Sequence, residues 1–199
     1  SSKQGVLHHE AAMTVMETAS VHLEGLVLDN LIANSTGAEK LYLLGKKIDE
    51  QVDCAFRQLS MHLFEDAAYK LYAEQGTLSV DNLNGLCIDS QRAFYGDSVD
   101  FPPGFETWWC YIPQLYEPGY LYSYAFGQAT AIGISAQFKI IGPGLATAYI
   151  DLLAAGGSLT PVGLMQKVGV DINDPTFYLN SMGVILANIQ DEKNIAAEL

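Results

Sequence analysis

No run of lysine or arginine in this chain is longer than the pair Lys46-Lys47, and 10 basic residues stand against 23 acidic ones, for a net charge of −13. A nucleic-acid backbone needs a basic stripe to displace its counterions, so this deficit sets a nucleic-acid partner aside. Cysteine is scarce too: Cys54, Cys87 and Cys110 are odd in number, widely spaced and outside any CxxC pattern. That argues against both a disulfide framework and a structural zinc site, and it fits a reducing, cytoplasmic setting. The opening SSKQGVLHHE lacks a basic flank followed by an apolar core, so no signal peptide is expected in it. A Ser-Ser start without methionine predicts a processed or truncated chain. Strand-like alternation is missing as well, which leaves an all-α fold.

What is present is apolar and aromatic. The 199 residues are 49% hydrophobic and 17% charged, with eleven Tyr and eight Phe, the profile of a packed helical domain spanning 1–199. Apolar residues at helical spacing (Met13, Met16, Val21, Leu23, Leu26, Val27, Leu31) predict a first helix from His9 to about Asn34 with that face inward. A second pattern from Ala38 to Glu74 reads as one long helix or two stacked ones, closed by Gln75-Gly76. Ser79 is placed to cap a helix running to about Tyr95. The main break is the loop at about 96–106, with Pro102-Pro103. Beyond it come an apolar stretch to Ile141, the breaker GPG, helices over about 145–155 and 161–168, and a last helix from Pro175 to about Gln190. The stretch Tyr120 to Ile141 is long enough to span a membrane. Its Gln128, Gln137 and Lys139, together with small residues such as Gly127 and Gly133, fit a buried helix at the centre of a bundle better, so no membrane partner is expected.

Glu17 and Glu24 stand seven positions apart, so with Ser20 or Val21 they share one helical stripe. An isolated pair of this kind reads most simply as two solvent-facing acids. Three further segments raise another reading: CAFRQLSMHLFE at 54–65, WWCYIPQLYEPGYLYSYAFG at 108–127 and LLAAGGSLTPVGLMQKVGVDINDPTFY at 152–178. With METASVHLE at 16–24, in this order and at these separations, they resemble the C-terminal part of an oligoendopeptidase F type protein. That protein type belongs to the thimet-oligopeptidase-like family of zinc peptidases, and the resemblance covers about Gly5 to Tyr178.

The resemblance implies a multi-helix bundle, part of the catalytic domain of a zincin-type peptidase. In that domain an HExxH helix binds zinc and a following helix with ExxS supplies a third ligand. Glu17 falls at the third-ligand position, Glu24 becomes a supporting carboxylate that orients a ligand histidine or the helix pair, and Ser20 packs between helices. A carboxylate from a second helix leaves the fourth zinc position open, as a catalytic zinc requires. In the aromatic segment the family carries a histidine and tyrosines near the scissile carbonyl. Here Gln114 takes the histidine's position, with Tyr120 and Tyr122 the best oxyanion donors and Tyr116 and Tyr124 next.

No HExxH occurs in the 199 residues. His8 and His9 are adjacent and point to different faces, so they make no i, i+4 metal pair, while His22 and His62 read as structural or surface histidines. Arg57 is expected to pair with Glu24 or Glu65 and to stabilise the fold. The expectation is therefore the C-terminal portion of a zinc metalloendopeptidase cleaving short peptides, with zinc held in the full-length parent and the N-terminal half missing. Such a chain is inactive by itself and exposes apolar surface that favours homo-oligomers. The alternative is a non-catalytic helical peptide-binding or assembly domain.

Overall fold

The computed structural model describes residues 3–199, and among them every regular element is helical. In chain order these are α1 (Met13–Ala33), α2 (Gly37–Val52), α3 (Gln58–Gln75), α4 (Val80–Tyr95), α5 (Tyr122–Ile141), α6 (Leu145–Ala155), α7 (Pro161–Lys167) and α8 (Pro175–Glu198). A π-helical turn, Asp53–Arg57, separates α2 from α3, and 3-10 turns at Phe105–Tyr111 and Pro113–Tyr116 precede α5. The all-α expectation therefore holds.

Local chemistry sets most of the ends. Ser79 Oγ accepts from Asn82 N at 3.1 Å while Asn82 Oδ1 accepts from Ser79 N at 3.1 Å, a reciprocal cap that starts α4. Thr160 and Asp174 cap α7 and α8 through Gly163 N and Thr176 N, each with proline at the first helical position. Gly76 ends α3 at φ 76°, a conformation that suits glycine. The last helix runs eight residues beyond the expected end near Gln190, to Glu198.

The chain packs as two compact units, one formed by the chain up to Val52 together with Phe126–Leu199, the other by the contiguous Asp53–Ala125. The loop near 96–106 falls inside the second unit, between α4 and the 3-10 turn that follows. Proline and glycine mark where the chain turns, whereas packing decides which helices belong together.

In the first unit, Val15, Ile134, Leu145, Tyr149, Leu152 and Met165 are among the residues that form the core. The face expected to be buried on α1 is not: Met16 is 45% exposed, Leu23 50% and Val27 60%. The buried positions are Val15, Thr18, His22 and Leu28. Apolar residues surround α1, so periodicity selects no face; polar partners do. The hydroxyls of Thr18 and Thr130 share a hydrogen bond at 2.7 Å in the interior, Ser181 Oγ donates to the Ala129 carbonyl at 3.1 Å, and Asn188 Nδ2 donates to Gln51 Oε1 at 2.9 Å. These bonds tie α1, α2 and α8 to one another and to α5 while leaving no buried hydroxyl unsatisfied among them. By length and composition the stretch Tyr122–Ser158 is apolar enough to cross a membrane. Within α5 the buried residues are Ser123 in the first turn and, in the middle, Gly127–Ile132 and Ile134, while the last turn, Lys139–Ile141, is exposed.

In the second unit α3 and α4 pack around Met61, Phe64, Cys87, Ile112 and Leu121. Buried Gln91 donates to Ser60 Oγ at 2.8 Å, and Trp109 Nε1 donates to Asn84 Oδ1 at 2.9 Å, which anchors the 3-10 turn to α4.

Candidate functional site

Glu17 lies in the second turn of α1, half-buried, and Glu24 two turns further on is exposed. Ser20, expected between helices, is exposed instead; its hydroxyl donates to the Glu17 carbonyl at 3.0 Å and sits 3.4 Å from Glu17 Oε2. A short hydroxyl folds back onto its own helix at little cost, which removes it from any interhelical seam. What does approach Glu17 closely is Gly127 of α5: a Cβ there would stand 3.0 Å from the Glu17 carbonyl carbon and 3.2 Å from Thr18 N. A glycine lets α5 press its backbone against α1 at this point without displacing it.

The aromatic segment belongs to the second unit. Its turn is held by Glu65, a carboxylate 5% exposed in α3, whose Oε1 accepts from Gly119 N at 2.8 Å. Gly119 sits at φ 78°, so a side chain there would strain the backbone. The other carboxylate oxygen is 3.4 Å from His62 Nδ1. Gln114 Nε2 donates to the Tyr124 hydroxyl at 3.2 Å, and the Tyr124 ring lies 5.5 Å from that of Tyr120. Gln114, Tyr120 and Tyr124 thus form one group. Tyr122 turns elsewhere, its ring 5.6 Å from His62, and Tyr116 is exposed. Glu65 and His62 are the residues sequence reasoning left out of this segment; the H-x-x-E spacing on one helix was the available signal.

Arg57 departs from its expected partners. Its guanidinium binds Asp53, at 2.8 Å, and lies 4.5 Å over the Trp108 ring. The π turn brings residue 53 alongside 57, and a half-buried carboxylate four residues away costs less desolvation than the buried Glu65 would.

The fit to zinc is testable on the donors present. Among the described residues no three His, Cys, Asp or Glu side chains stand close enough to hold a metal ion. His8 and His9 are exposed at the start of the first unit. His22 is 1% exposed, its ring clustered with those of Phe138 at 5.8 Å and Tyr149 at 4.8 Å, and burial lowers its pKa below the ordinary value. Burial likewise pushes the Tyr149 hydroxyl up to about 12. The folded state therefore holds His22 neutral where the unfolded chain would protonate it. The contribution of His22 to stability is expected to be fully present above the ordinary histidine pKa of about 6.5 and to be lost as pH falls below that value. Urea midpoints measured down from pH 8 test this; His22→Phe should flatten the slope, and a parallel decline in both proteins would assign the loss to other groups.

The sequence pattern of Peptidase family M3 matches residues 1–184. Curated relatives include the oligopeptidase PepF of Bacillus subtilis (strain 168), 30% identical over 162 residues that make up 81% of this chain and 24% of the relative. An oligoendopeptidase F homolog of Borreliella burgdorferi is 25% identical over 189 residues, 94% of this chain and 32% of the relative. A solved structure from Chlamydophila abortus superposes with a TM-score of 0.79 at 25% identity, covering 97% of this chain and 33% of that one. Oligoendopeptidase-F from Enterococcus faecium superposes with a TM-score of 0.76 at 22% identity over 94% of this chain and 36% of its own length, a likeness of fold. The chain spans a third or less of the length of these two curated relatives. With helices in the same arrangement and a family pattern running from residue 1 to 184, the chain belongs to Peptidase family M3.

Proposed function

We propose that the protein is a zinc metalloendopeptidase of the oligoendopeptidase F type that cleaves short peptides, and that this chain forms the C-terminal portion of its catalytic bundle. The observation that carries the reading is the family match over residues 1–184. In it Glu17 supplies one zinc ligand, held by the close approach of α5 at Gly127, and Glu24 is a supporting carboxylate. The remaining ligands and the water-activating glutamate come from an N-terminal half. For their part Tyr120 and Tyr122, with Gln114, are hydroxyl and amide donors of the kind that stabilise a developing oxyanion. Among the described residues Cys54, Cys87 and Cys110 form no disulfide, which supports a reducing, cytoplasmic setting.

The purified 199-residue chain, given zinc and a quenched fluorescent oligopeptide, is expected to show no hydrolysis. Joined to an upstream HExxH-bearing segment it is expected to cleave, with activity lost to a chelator and reduced at least about 100-fold by Glu17→Gln. Zinc-dependent cleavage by the chain alone, or full activity of Glu17→Gln, would sink the reading.

One observation favours a second reading, a non-catalytic helical peptide-binding or assembly domain. Gln114 stands where a histidine is expected, and its amide donates to Tyr124 without being able to carry a proton charge. That reading predicts peptide affinity without metal or hydrolysis. The exposed Met16, Leu23 and Val27 support self-association in either case, and a clean monomer in sedimentation at high concentration would count against it.

A further inference from the structure

On a different set of residues from Glu17 and the tyrosine segment, the first unit holds a cavity of about 270 Å³ walled by α1, α2, α5 and α8. Its lining is polar and of both signs. Lys47, 15% exposed, pairs with Asp29 across α1 and α2, and Lys139 stands on α5. Two buried carboxamides face the same space, Gln51 and Gln128, each 5% exposed. Gln51 uses its Oε1 to accept from Asn188, which leaves its amide hydrogens over. The Gln128 side chain makes no hydrogen bond among the described residues. His22 also lines the cavity, with Nδ1 3.2 Å from Ser135 Oγ and a buried Nε2 without a hydrogen-bond partner among the described residues.

Buried polar groups are ordinarily satisfied, and a helix interface that needed only packing would use leucine or methionine at 128. The lining therefore calls for a polar occupant. A plain anion would meet the carboxylate of Asp29 and a plain amine would meet Lys47 and Lys139, so each is opposed by charge of its own sign in the wall. A molecule that carries both charges answers both. Val21, Ile132 and Val184 complete the wall with an apolar side, and the volume suits one small molecule and not a chain of several residues.

We propose that this cavity binds a free α-amino acid with a small aliphatic side chain, its carboxylate toward Lys47, Lys139 and the Gln51 amide, its ammonium toward Asp29 and the Gln128 carbonyl. The site uses none of the residues assigned to peptide hydrolysis and stands whether or not that reading holds. Calorimetric titration of the chelator-treated protein tests it, with valine compared against isovalerate, which lacks the ammonium, and isobutylamine, which lacks the carboxylate. Saturable binding of valine is expected, weakened at least about tenfold in each truncated ligand and about tenfold by Gln128→Met with an unchanged melting midpoint. If Gln128→Met does not fold, the more exposed Lys139→Met serves, with the same expected loss. Absence of saturation by valine at millimolar concentration, which leaves a cavity holding water only, overturns the proposal. So does equal binding of isovalerate, or binding untouched by a folded Gln128→Met, which would place the amino acid elsewhere.

Discussion

Gly127→Ala is expected to destabilise the protein by about 1–3 kcal/mol, the ordinary cost of forcing extra volume into a packed interior. The new methyl would meet the Glu17 carbonyl carbon and Glu17 Cβ at 3.0 Å and Thr18 N at 3.2 Å. Two of these atoms are helix backbone, which cannot swing aside as a side-chain tip does, so α1 would have to shift along with Glu17. Gly183→Ala in α8 supplies the control, because nothing lies within 4 Å of the position its Cβ would take. That change should stabilise by about 0.5–1 kcal/mol, as alanine does in place of glycine inside a helix. Opposite signs in urea midpoints are the expected result, and equal stabilisation by both would show that α5 and α1 do not approach at Gly127. In the catalytically complete protein, Gly127→Ala is also expected to weaken zinc retention, if Glu17 is the ligand proposed.

Glu65→Ala is the second large change. It deletes a carboxylate 5% exposed that accepts from Gly119 N at 2.8 Å and lies beside His62. Hydrogen bonds to a charged acceptor contribute about 1.5–3 kcal/mol each, and the cavity left behind adds to the loss. The expected total is about 2–4 kcal/mol. Glu65→Gln keeps an acceptor oxygen and should recover part of that loss. Asp66→Ala, next in the chain but on the exposed side of α3 with only Lys70 as partner, should change stability by less than about 1 kcal/mol. An unfolding midpoint for Glu65→Ala no lower than that of Asp66→Ala would show that the Pro118-Gly119 turn does not depend on this carboxylate.

These two sites differ in how much of them the sequence discloses. Helix ends with chemical punctuation are readable directly: Ser79, Thr160-Pro161, Asp174-Pro175 and Gly76 all end or begin helices where expected. The end of α8 is not, because Asp191-Glu192-Lys193-Asn194 carries no apolar spacing although it stays helical. The inward side of α1 is hidden for the opposite reason, since it is apolar all round and its buried face is chosen by Thr18 and His22 meeting Thr130 and Ser135. Glu17 is recognisable because its neighbours form a local motif. The bond from Gly119 to Glu65 spans 54 positions and exists only once α3 and the turn have packed, as does the pairing of Lys47 with Asp29. Arg57 shows the same limit at short range, its partner being fixed by a π turn that no propensity announces.

The first unit is made of both ends of the chain, and its interior bonds join Thr18 to Thr130 and Gln51 to Asn188, 112 and 137 positions apart. Contacts so distant in sequence form late and are slow to close. As the chain leaves the ribosome, α1 and α2 emerge early with Thr18, His22 and Gln51 still lacking their partners. The contiguous stretch Asp53–Ala125 then appears complete, with its own core already in hand. Only after Phe126 do the partners of the first helices follow, Asn188 among the latest of them. During synthesis the middle of this chain is therefore expected to complete its contacts before its beginning does.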